Sequence, residues 1–132
     1  MPEISWIGVL LCGISSMVLG ALWYSPLLFG GAWQRGAGLS DEQLAGGNMA
    51  LIYGLAFLLS LIAAAVFAMF LGDHPGFWFA ISAGAAAGAF WVAASFGINY
   101  LFERRSVVHW LINGGYHTLQ FTLFGLILAH FH

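Results

Sequence analysis

Two imidazoles, two amides and a phenol recur along the last apolar stretch of this chain at spacings that gather them on one side of a helix. At about 100° per residue, His109, Asn113, Tyr116, His117 and Gln120 project into one arc of about 100°. The other faces of that stretch are Leu, Ile, Phe, Gly and Thr. In the preceding stretch Gly84, Gly88, Val92, Ser95 and Asn99 share an arc of about 80°, which Glu103 extends at its far end. Groups of this kind inside a membrane can bind a small solute, or pass a proton with His117 titrating and Glu103 as gate or counter-ion. They can equally act only as interhelical hydrogen bonds that fix helix register, worth about 0.6 kcal/mol each. Both readings stand on the residues alone. Enzyme chemistry does not: there is no Ser–His–Asp set, phosphate-binding loop or CxxC pair, and no spacing offers a nucleophile with an oriented base. No catalytic residue and no cofactor are expected.

The elements that must position these groups are four apolar runs: Ile4–Trp23, Met49–Leu71, Phe77–Phe102 and Val107–Phe131. Each is long enough to cross a bilayer, for which roughly 20 apolar residues suffice. The fold class that follows is all-α, a single four-helix transmembrane domain with spans at 4–24, 48–71, 77–102 and 107–131. At 132 residues, 61% hydrophobic and 6% charged, the chain lies far from the globular average of about 25% charged. What remains outside the runs is too short for a soluble domain. The net charge of −2, with three arginines and no lysine, excludes a nucleic-acid surface, which needs basic groups to displace counterions. Cys12 is the only cysteine and reads as a small buried hydrophobe.

Arg35, Arg104 and Arg105 all fall in the first and third connections. Short arginine-bearing loops stay cytoplasmic. The 25–48 and 103–106 connections are thus expected inside, with both termini and the Gly72–Gly76 turn outside, in the cytoplasmic (inner) membrane. Met1-Pro2-Glu3 carries no basic leader and the first run ends at Trp23-Tyr24-Ser25-Pro26, so that run reads as a retained helix.

On the first run, Gly13, Ser16, Gly20 and Tyr24 fall within an arc of about 80°, a small-residue face that admits a neighbouring helix closely. Gly84 and Gly88 form a second such face. Small faces on two helices lead to the expectation of a homo-oligomer, dimer or trimer, in contact with the lipid bilayer. In the 25–47 loop, Ser40 with Gln43 forms a capping box and Leu39 with Leu44 a hydrophobic staple, which predicts a short surface helix stopped by Gly46-Gly47. Upstream, residues 26–33 are too apolar for a free loop and are expected in the headgroup region or folded back on the bundle. His74, His130 and His132 lie at the outer end, where zinc or copper could take imidazole; terminal histidines are usually frayed and solvated, so no metal site is assigned.

The turn at Arg104–Ser106 is so short that the third and fourth helices are antiparallel neighbours. Counting from it sets Glu103 level with His109, Asn99 with Asn113 and Ser95 with His117. The two polar faces then meet rung by rung in a buried seam. His117 lies roughly 15 Å into its span, near the bilayer midplane.

Trp23-Tyr24-Ser25-Pro26-Leu27-Leu28-Phe29-Gly30, Gly97-Ile98-Asn99-Tyr100-Leu101-Phe102-Glu103-Arg104-Arg105 and Ile112-Asn113-Gly114-Gly115-Tyr116-His117 together carry a likeness. The chain resembles the small bacterial membrane-protein family called domain of unknown function 1761, over nearly its full length. The resemblance implies a four-helix integral membrane protein with no assigned activity.

Overall fold

The computed structural model describes residues 3–132; Met1 and Pro2, part of the terminus read above as carrying no basic leader, lie outside the described residues. The chain forms α1 (Trp6–Trp23), α2 (Gly30–Ala37), α3 (Asp41–Ala45), α4 (Met49–Leu71), α5 (Phe77–Ala86), a π-helical segment (Ala87–Ala93), α6 (Ala94–Glu103) and α7 (Val107–His130). The helix starts are built as side-chain chemistry dictates. Ser5, Ser40, Asn48 and Ser106 each stand just before a helix and accept a backbone N–H of its first turn, satisfying a donor the helix leaves free. The capping box of Ser40 and Gln43 forms in full.

Trp6–Trp23, Met49–Leu71 and the continuous Phe77–Glu103 are long and apolar enough to cross a membrane. The expected fourth apolar span does not reach that apolarity. Helix α7 has the length, 24 residues or roughly 36 Å, but His109, Asn113, His117 and Gln120 dilute its hydrocarbon. It is also the central helix. α7 packs against α5 and the π-helical segment on one side and α1 on the other, while α4 packs chiefly on α1.

Backbone meets backbone where α5 crosses α7. A methyl group at Gly84 would collide with the Phe121 carbonyl, one at Gly88 with the His117 carbonyl, and one at Gly125 with the Ala80 carbonyl. Gly13 of α1 lies against Leu61 and Phe57 of α4. Both small-residue faces are therefore filled within the chain.

One half of the bundle is apolar throughout: Val9, Cys12, Ala64, Phe67, Ala80, Ala87, Phe124 and Leu128 make one buried cluster, with Phe124 at 0% exposure. At that end Glu3 N–H donates to Asp73 (2.8 Å) and His74 Nδ1 lies 2.7 Å from His132 Nδ1. Glu3, the 72–76 turn and the last residues therefore share one end. At the other end α2 folds back on α7, with Gly36 directly over the His109 ring. Residues 26–33 are not a free loop; Phe29 packs on Trp23 and Trp33 on Tyr24.

Candidate functional site: a polar network at half depth

Asn113 is the hub. It is 9% exposed, and its side chain ties three helices together. Oδ1 accepts from the Tyr24 hydroxyl at the end of α1 (2.7 Å). Nδ2 donates to the Tyr100 hydroxyl of α6 (2.8 Å) and to His109 Nε2 one turn away (3.2 Å). A second cluster follows one to two turns deeper. Tyr116 donates to the Ser16 carbonyl (2.8 Å), Gln120 Nε2 to Ser16 Oγ (2.9 Å), and His117 Nδ1 to Gln120 Oε1 (2.7 Å). Two indoles brace the arrangement from either side. Trp23 donates to the Ile112 carbonyl and Trp110 to the Ala93 carbonyl, both at 2.8 Å.

His109 and Asn113 thus lie in one cluster and Tyr116, His117 and Gln120 in a second, the two meeting at the Tyr24 and Tyr116 rings (centroids 5.5 Å). Their partners differ from those expected. Ser95 and Asn99 are exposed and line an open groove with Trp91, Val92 and Phe96. Glu103 is exposed at the end of α6 and does not reach His109 through a hydrogen bond. The groups that face α7 lie one residue further along. Tyr100 stands where Asn99 was expected, and Phe96, stacked on the His117 ring (centroids 5.1 Å, 11°), where Ser95 was.

The cause is the π-helical segment. Its wider i→i+5 turns take up about one extra residue over the whole segment, so everything after it stands about 100° around the axis from its place in a uniform helix. Gly84 and Gly88, before the extra residue, keep the face computed for a uniform helix. Val92, Ser95 and Asn99 swing away to the open groove, Ala93, Phe96 and Tyr100 take their places, and Glu103 is left exposed.

The second correction concerns α1. The sequence presents Gly13, Ser16, Gly20 and Tyr24 only as a packing face, whereas Ser16 and Tyr24 also hydrogen-bond to α7. Their common arc is the available signal: a polar Ser16 and Tyr24 on the same face as Gly13 and Gly20 mark a face that can approach closely, accept through Ser16 and donate through Tyr24.

Most of the buried polar groups are satisfied within the protein. Every buried side-chain polar atom of the described residues has a protein partner except one, His109 Nδ1. Because Nε2 accepts from the Asn113 amide, the proton of a neutral His109 sits on Nδ1. That N–H is buried beneath Gly36 without an acceptor, a cost of about 1–3 kcal/mol. Beyond Gln120, towards the termini, polar side chains give way to the apolar cluster around Phe124. Among the described residues no group of three or more His, Cys, Asp or Glu side chains is placed to hold a metal ion. At the terminal end His130 instead turns to the Leu126 carbonyl (2.9 Å).

Fold and site together define a class: a small all-helical protein with three bilayer-length apolar helices and a polar network buried in half of the bundle. The chain belongs to the family described as "Protein of unknown function (DUF1761)", whose model matches residues 7–129. No curated protein matches the chain, and no solved structure does.

Proposed function

We propose that this chain is a non-enzymatic integral membrane protein in which all four long helices cross the bilayer, and that its polar network holds α1, α6 and α7 in one register. The observation that carries this reading is closure. Hydrogen-bonding side chains run from His109 to Gln120, roughly 17 Å of α7, and end at a dry wall of Phe67, Ala80, Phe124 and Leu128. A path for a proton or solute needs polar groups or water across the whole hydrocarbon thickness of about 30 Å. The network stops about half-way. Its role is then that of a structural or interaction protein, with a fixed bundle presenting the α2–α3 segment at one membrane face. By the arginine rule that face is the cytoplasmic side of an inner membrane, and both termini lie outside. α7 crosses in spite of its polar stripe because the stripe is turned to protein and its lipid side is apolar, with Val107, Val108, Leu111 and Leu119 exposed.

A second reading, a half-depth site for a small solute or proton, is favoured by the unpartnered His109 Nδ1. One experiment separates the two. In liposomes carrying the protein and an imposed pH gradient, the structural reading predicts decay no faster than in protein-free vesicles, and a His117→Phe variant that is less stable. Faster decay in the wild type, abolished in a His117→Phe variant that still folds, would overturn it.

A further inference from the structure

We infer that the arginine-bearing end holds the phosphate headgroup of an anionic phospholipid, with one acyl chain laid between α6 and α7. All three arginines of the chain, Arg35 and the distant pair Arg104 and Arg105, line one open cavity of about 560 Å³. Arg35 comes from α2, Arg104 and Arg105 from the α6–α7 turn, and Ser106 and Val108 from the first turn of α7. Glu103 is the single carboxylate in the lining, so three guanidinium groups face one negative charge. Arg105 Nη1 donates to the Gly36 carbonyl (2.9 Å), which ties α2 to the turn and leaves most of the five donors of that guanidinium free. Guanidinium forks match phosphate oxygens, and the positive end of the α7 dipole adds to the same field.

Two further observations point to a lipid. Arg105 and Ser106 also line a neighbouring groove of about 300 Å³ whose other walls are apolar, among them Ile98, Leu101, Val107 and Trp110. A charged cup continuous with an apolar groove on the bilayer-facing side of α6 and α7 has the shape of a headgroup and a chain. Secondly, Arg104 adopts φ 62°, the left-handed conformation that ends helices and favours glycine. The Arg104 N–H bonds to the Leu101 carbonyl and the Arg105 N–H to the Tyr100 carbonyl, a geometry glycine would close with less strain. An arginine there sets a charged side chain at the cup against the local backbone preference.

The inference rests on α6 and α7 crossing the bilayer, and its test keeps the two apart. The full chain in dodecyl maltoside is titrated with dioleoyl phosphatidylglycerol, with dioleoyl phosphatidylcholine, and with glycerol phosphate. Binding is read by native mass spectrometry and by thermal shift. Phosphatidylglycerol is expected to bind and to raise the melting temperature. Phosphatidylcholine, whose own choline neutralises its phosphate, is expected to bind at least ten-fold more weakly. Arg35→Gln and Arg104→Gly are each expected to lower phosphatidylglycerol affinity about five-fold, the share of one arginine near a membrane surface. Arg104→Gly should melt no lower than the wild type, which separates lost binding from lost folding. Equal binding of the two lipids, or unchanged affinity in both variants, overturns the inference. Glycerol phosphate binding as tightly as the lipid, and lost in the same variants, overturns the lipid assignment in favour of a soluble phosphate ester. Extraction of the protein from membranes by alkaline carbonate would instead refute the crossing of α6 and α7.

Discussion

Replacing Asn113 by Leu removes the hub of the network without changing side-chain size much, so packing losses stay small. Three hydrogen bonds disappear: to Tyr24, Tyr100 and His109. Interhelical bonds in membrane proteins average about 0.6 kcal/mol and reach about 1.7. The expected loss is therefore about 2 kcal/mol, with an upper bound of about 5 kcal/mol if every bond lies at the strong end. Unfolding in mixed micelles of dodecyl maltoside and sodium dodecyl sulfate, followed by tryptophan fluorescence, measures it. A double-mutant cycle of Asn113→Leu with Tyr24→Phe isolates the α1–α7 bond, for which a coupling of about 0.6–1.7 kcal/mol is expected. Asn99→Leu is the control. Asn99 is exposed beyond the π-helical segment, so its loss should stay within about 0.5 kcal/mol. A loss below about 0.5 kcal/mol for Asn113→Leu with zero coupling would refute the network. A larger effect at Asn99 than at Asn113 would refute the shifted register.

Deleting Ala89 should restore a uniform α-helix that brings Phe96 and Tyr100 to the positions a regular count turns towards α7, so the Asn113–Tyr100 bond should survive and the Asn113→Leu loss should stay as large as in the full-length chain; loss of that coupling on deletion would contradict the role given to the π-helical segment. Gly88→Leu forces a side chain into the His117 carbonyl and should cost about 1–3 kcal/mol or prevent folding. Gly54→Ala, with open space around it, should instead stabilise α4 by about 0.5–1 kcal/mol. Cysteines at Glu42 and His132 should react with an impermeant maleimide from opposite sides of the membrane if all four long helices cross, and from the same side if α7 does not.

Much of this arrangement is legible in the residues. Regular α-helix gives one reliable rotation per residue, so the stripe on α7 and the small face on α1 follow from counting. The serine and asparagine caps announce helix starts because their side chains replace missing backbone acceptors. The face of α6 does not follow, because the count passes through Ala87–Ala93, a run of Ala, Gly, Phe, Trp and Val whose composition is ordinary for α-helix. One extra residue there exchanges Ser95 for Phe96 and Asn99 for Tyr100. α1 is not legible as a hydrogen-bonding partner for another reason. The polar faces of α6 and α7 look self-sufficient on paper, and only the approach of α1 through Gly20 brings Tyr24 and Ser16 within reach.

The most direct test is hydrogen exchange of the Asn113 and Gln120 side-chain amides, followed by nuclear magnetic resonance of the protein in lipid nanodiscs. A network closed by Tyr24, Tyr100, His109, Ser16 and His117 predicts exchange far slower than in a free amide. Exchange at the rate of a solvated amide would mean that water fills the space between α1, α6 and α7, and would contradict a bundle locked by direct hydrogen bonds.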